Sequence, residues 1–119
     1  MLDKLLKAGF NNVGQFDFSP ELIFNKADVN YNFSNIIYAI VNEKQVLYIG
    51  ESQRSLDEVI KRLLRGSVHQ ETIHKIHNLI RDNIKSQHKV YLIYMEPSLQ
   101  TKKDFIQQYK PQYNFGSTS

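Results

Sequence analysis

The chain contains no cysteine. Disulfides and thiolate metal sites are therefore excluded, and the composition suits a cytoplasmic protein. No apolar run approaches the roughly 18 residues that a membrane-spanning helix needs. Residues 1–10 are amphipathic, carry Asp3, and lack the apolar stretch of a secretory signal. Repeats, low-complexity tracts and linkers are also missing. What is present fits one domain: 119 residues, of which 41% are apolar, supply a single core. Seven Tyr and seven Phe give that core aromatic bulk. A charged fraction of 23% is not that of a disordered chain, and the net charge of +3 weakly favours an acidic partner such as nucleic acid.

Hydrophobic periodicity orders the chain. Leu2, Leu5, Leu6 and Ala8 predict a short helix ended by Gly9. Asn11, Asn12 and Gly14 read as turns, and Phe16, Phe18 and residues 22–24 as short strands or extended segments. Residues 36–41 and 45–49 are β-branched and aromatic. They flank Asn42-Glu43-Lys44 and predict an antiparallel hairpin whose second strand ends at Gly50. Ser55 with Glu58 three residues on is a capping box, opening a helix over 56–65 that Gly66 stops. A second helix is expected over 70–85, a third strong strand over 90–95, and a last helix over 99–109 terminated by Pro111. The expected fold is α+β: a small antiparallel sheet, made of the hairpin and a third strand, flanked by about three helices. Residues 1–34 form an N-terminal helix and extended segment packed on the core, residues 35–114 the main domain, and residues 115–119 a tail.

The hairpin holds Ile36-Ile37-Tyr38 and then Tyr48-Ile49-Gly50, two aromatic strand motifs about ten residues apart. With Lys61-Arg62-Leu63 on the following helix and the ending Ile106 to Asn114, with its Pro111, this resembles the GIY-YIG endonuclease family, in its small phage-type or restriction-type members. Ile36 stands where the family carries its first glycine. The resemblance implies a nuclease that hydrolyses phosphodiester bonds of double-stranded DNA with Mg²⁺ or Mn²⁺. It implies that Tyr38 takes a proton from the attacking water, helped by cationic neighbours that favour phenolate, with Tyr48 close by. Arg62 would fork onto the phosphate and His69 would reach it. Gly50 and Asn114 would be structural, Gly50 through a permissive backbone. Lys61, Arg65, Lys103 and Lys110 are candidate DNA contacts. A single site cuts one strand at a time, so double-strand cleavage implies a homo-oligomer or two visits.

Two departures stand out. An ungapped comparison puts Val59 rather than Arg62 at the arginine position. The offset of about three residues is nearly one helical turn, so Arg62 can still face the same way, with Arg54 and Arg65 as rivals. The second departure is that the family's metal-binding Glu falls on Lys102, flanked by Thr101 and Lys103; Asp104 and Glu96 are the nearest carboxylates. An ammonium there repels Mg²⁺ and attracts phosphate, implying a chain inactivated or weakened as a nuclease. The competing readings are a catalytically dead nucleic-acid-binding module and a protein-interaction scaffold on the same fold. His74 and His77 sit three apart on a helix, but no carboxylate pair completes a metal site with them.

Overall fold

Residues 36–41 are buried without interruption, and a strand of that kind needs cover on both faces. In the computed structural model, which describes residues 2–27, 35–66, 70–95 and 102–115, that cover is supplied. The elements are α1 (Leu2–Lys7), β1 (Asn11–Phe18), β2 (Leu22–Lys26), β3 (Ile36–Val41), β4 (Val46–Ser52), α2 (Leu56–Arg65), α3 (Glu71–Lys85), β5 (Val90–Met95), α4 (Lys102–Tyr109) and α5 (Gln112–Phe115). The strands form one antiparallel sheet in the order β2-β1-β5-β3-β4. On β3, Ile36, Tyr38 and Ile40 join the core beneath α2 and α3 with Leu56, Leu63, Ile76 and Ile80. Ile37, Ala39 and Val41 join a second core with Leu5 of α1 and Phe105 of α4. Full burial of each large aliphatic side chain contributes about 1.5–3 kcal/mol, so this strand anchors both layers.

The α+β class, the hairpin, α2 and the third strong strand agree with the sequence reading. The sheet is larger: β1 and β2 extend it, with β1 pairing to β5. Asn11, Asn12 and Gly14, expected as turns, lie inside β1. They form an irregularity rather than a turn: the Gly14 N–H donates to Asn12 Oδ1 at 3.1 Å where the register with β5 shifts. β4 likewise runs past Gly50 to Ser52. A second shift, between Ile40 and Val41, leaves Leu47 without a cross-strand partner and brings Leu47 and Tyr48 into the same core. The last expected helix does end at Tyr109, ahead of Pro111, but a short further helix, α5, follows the proline. The start expected for the last helix, residues 99–101, lies outside the described residues.

Polar contacts fix how the helices sit. Ser55 Oγ accepts from the Glu58 N–H at 3.3 Å, and Gly66 takes the left-handed conformation (φ 59°, ψ 47°) that closes α2. The exposed carbonyls at that end receive imidazole N–H groups from α3: His77 Nδ1 to Leu63 O at 2.7 Å and His74 Nδ1 to Gly66 O at 3.1 Å. A carbonyl only accepts, so both Nδ1 atoms carry the proton. The two histidines therefore cap a helix.

Buried Asn42 ties the hairpin turn to α3. Its Oδ1 accepts from the Lys44 and Gln45 N–H groups at 2.8 Å each, and its Nδ2 donates to Asn83 Oδ1 at 2.9 Å. Asn42→Ala strands those donors and is expected to cost about 2 kcal/mol in urea denaturation; a loss under about 0.5 kcal/mol would show that the turn does not depend on this amide.

Candidate active site

Tyr38 and Tyr48 project from adjacent strands onto the face beneath α2 and α3. They are not directly opposed: Tyr38 pairs with Gly50, and Tyr48 with Ile40. The two rings are therefore diagonal neighbours, with centroids 6.0 Å apart. Gly50 makes that possible. Its φ is not in the left-handed region, so the permissive backbone expected from sequence is not its role. A Cβ at position 50 would lie 2.5 Å from Tyr38 Cζ, 2.6 Å from its hydroxyl oxygen and 2.8 Å from Tyr48 Cε2. The glycine leaves the space that the Tyr38 ring fills. Tyr113, on α5, completes the stack edge-on to Tyr48 at 5.5 Å. The sequence reading passed over Tyr113, although it adjoins Asn114 in the closing motif. Its placement follows from the chain rounding the β4 edge: α4 packs on the opposite face through Phe105, Pro111 is buried, and Gln112 Oε1 accepts from Gln45 Nε2 at 3.0 Å.

The tyrosine pair is held neutral. Tyr38 is 5% exposed and Tyr48 8%. Burial raises the Tyr38 hydroxyl far above its ordinary value, the nearby Tyr48 and the hydrogen bond between the two hydroxyls add to that, and Arg62 pulls the other way. Tyr48 is also raised, by burial first, and its hydrogen bond with Tyr38 partly offsets the rise. The expectation that cationic neighbours favour phenolate is therefore corrected. Arg62 does act in that direction, but desolvation outweighs it.

Above Tyr38 opens a cavity of about 160 Å³ lined by Glu51, Ser52, Arg54, Val59, Arg62 and Ile73. Val59 and Arg62, one helical turn apart, thus share this wall of α2, and Arg54 joins them from the loop before the helix. Arg65 lies outside this cavity, in a neighbouring groove of about 460 Å³ shared with Arg54, Glu58, Arg62 and Gln70. Lys61 is on the exposed side of α2, bridged to Asp57 at 3.0 Å. Lys102 and Lys103 open α4, Lys103 exposed, and Lys110 joins α4 to α5. Lys102 is not among the residues lining either cavity. The backbone of Asn114 lies in α5; its side chain, like His69 and Glu96, lies outside what is described.

A glutamate-to-alanine variant of EndoII from bacteriophage T4 is similar in structure, with a TM-score of 0.71 and 17% identity over 96% of this chain and 98% of that one. Restriction endonuclease Hpy188I in complex with product DNA is also similar, with a TM-score of 0.59 and 16% identity over 92% of this chain and 80% of that one. The fold is that of the GIY-YIG endonucleases. No family model and no curated protein sequence matches the chain. GIY-YIG nucleases use divalent metals, so the donor set decides whether the described residues could hold one. Among them, no three His, Cys, Asp or Glu side chains converge. Glu51 is the one acidic residue among those lining the Tyr38 cavity. The described residues do not fit a divalent cation.

The buried pair has a consequence for alkaline stability. A hydroxyl raised in the folded state stabilises the fold fully below the ordinary tyrosine value of 10.0, and that contribution drains away as pH climbs above it toward the folded value. Tyr38→Phe is expected to lower Tm at neutral pH, with the gap to the parent narrowing as pH rises past about 10. A gap that stays constant to pH of about 11 would contradict the raised hydroxyl.

Proposed function

We propose that the chain is a GIY-YIG-type DNA endonuclease domain whose substrate is the phosphodiester backbone of double-stranded DNA, and whose metal-dependent turnover is held down by Lys102. The observation that carries this reading is the hydrogen-bonded Tyr38–Tyr48 pair at the floor of a cavity walled by Arg54 and Arg62. A phosphate entering the cavity meets two guanidinium groups, whose planar forks match phosphate oxygens. Whichever of the two hydroxyls donates to the other, the Tyr38 oxygen keeps a lone pair that can accept from a water on the phosphate. Neutral Tyr38 is thus an orienting group in this state. Removal of the water's proton needs further positive charge, the part a bound divalent ion would supply. A homo-oligomer would pair two such sites for cleavage of both strands.

A plasmid nicking assay with Mg²⁺ or Mn²⁺ tests the reading. Lys102→Glu is expected to nick at least ~100-fold faster than the parent, the scale of one electrostatic element of a transition state. Adding Arg62→Gln to that variant is expected to remove most of the gain. Equal cutting by the parent and Lys102→Glu would displace Lys102 from the metal position.

The catalytically dead reading is favoured by the same thin donor set and by the neutral Tyr38. It predicts no cutting by the parent or by Lys102→Glu, with DNA binding that still weakens as salt rises.

A further inference from the structure

The cations on and beside α2 and α3 differ in their partners, and Lys85 lies over the Phe18 ring. Lys61 is bridged to Asp57, Lys75 to Glu71, and Arg81 lies against Asp82. Arg54, Arg62 and Arg65 form no ion pair among the described residues. All three line one groove of about 460 Å³, together with Glu58 and Gln70. Glu58 offsets one of the charges. The remaining excess of like charge in a small space is unfavourable until an anion enters. Arg54 and Arg62 are shared with the wall of the Tyr38 cavity, while Arg65 and Gln70 belong to the groove alone.

One feature opposes an anion here. Arg65 is the last residue of α2, and the C-terminal end of a helix carries partial negative charge. The imidazole N–H groups of His77 and His74 offset it, since they donate to the Leu63 and Gly66 carbonyls. The groove is therefore left to its guanidinium groups.

We propose that this groove is a second phosphate site. It takes the phosphate adjoining the one at Tyr38 on the same nucleic-acid strand, with Arg65 and Gln70 as its own donors and Arg54 and Arg62 shared between the two positions. This rests on the DNA-directed reading above and deepens it. Two fixed phosphates on one strand set its direction across the cleft, whereas one would let it pivot. Both contacts are to backbone, so the groove adds affinity without sequence preference.

The number of phosphates neutralised can be counted from salt dependence, because each contributes about 0.9 to the slope of log K against log salt on duplex DNA. The experiment is fluorescence anisotropy with a labelled duplex, without divalent metal, over a salt series. It compares the parent, Arg65→Gln, Arg62→Gln, the double variant, and Lys4→Gln as a control on exposed α1. The expected result is a slope lowered by about 1 for each single arginine variant and about 2 for the double, with Lys4→Gln unchanged. A parent-like slope for Arg65→Gln overturns the second site. So does a double variant that loses only about 1, because both arginines would then hold one phosphate. In either case a salt-dependent parent leaves the DNA reading standing. A parent that shows no salt-dependent binding to DNA defeats that reading and the groove with it.

Discussion

A β-carbon on residue 50 would come within 2.5 Å of the Tyr38 ring, and the cleft takes its form because none is there. The Tyr38 ring lies across β4, its hydroxyl reaches Tyr48, and α2 closes over both with Arg62 at the rim. The hairpin supplies the two tyrosines. The capping of α2 by Ser55, and of its far end by the α3 histidines, fixes where the arginines stand. Tyr113 supports Tyr48 because the last helical turn crosses the sheet edge. Each feature is ordinary packing, and together they put a polar pair beneath a wall of positive charge.

That arrangement sets two effects against each other. Burial penalises the charged form of Tyr38, and Arg62 favours it; burial prevails. The floor of the cleft is therefore neutral, while positive charge comes from the arginines above it, which form no ion pair among the described residues. This separation suits binding without turnover, and it puts weight on whatever further positive charge reaches the phosphate. Lys102 opens a helix packed on the opposite face, and no converging carboxylates appear among the described residues. Among the described residues, the cleft thus presents guanidinium groups but no converging carboxylates.

Local signals carried much of this. The β-branched and aromatic runs at 36–41 and 45–49 marked the hairpin, Ser55 and Glu58 marked the start of α2, and the motif spacing brought Tyr38, Tyr48 and Arg62 forward. Three things were not legible because they depend on distant partners. β1 joins the sheet by pairing with β5, some eighty residues along the chain, so Asn12 and Gly14 looked like turn residues. Gly50 reads locally as a strand end, and its role as space for a ring appears only once Tyr38 is opposite. The protonation of Tyr38 turns on burial, which no spacing reports. The arginine groove combines a loop residue with two positions on one helix, and which carboxylates come near it depends on the fold.

Docking of a nucleic-acid backbone on the face of α2 and α3 over Tyr38 is tested by titrating isotope-labelled protein with a short duplex and following backbone amide and arginine side-chain resonances. Perturbations are expected at Tyr38, Arg54, Arg62, Arg65 and Gln70, with Leu5 on α1 and Phe105 on α4 unmoved. Perturbations centred on α1 and α4, or none at any concentration of duplex, would contradict that docking.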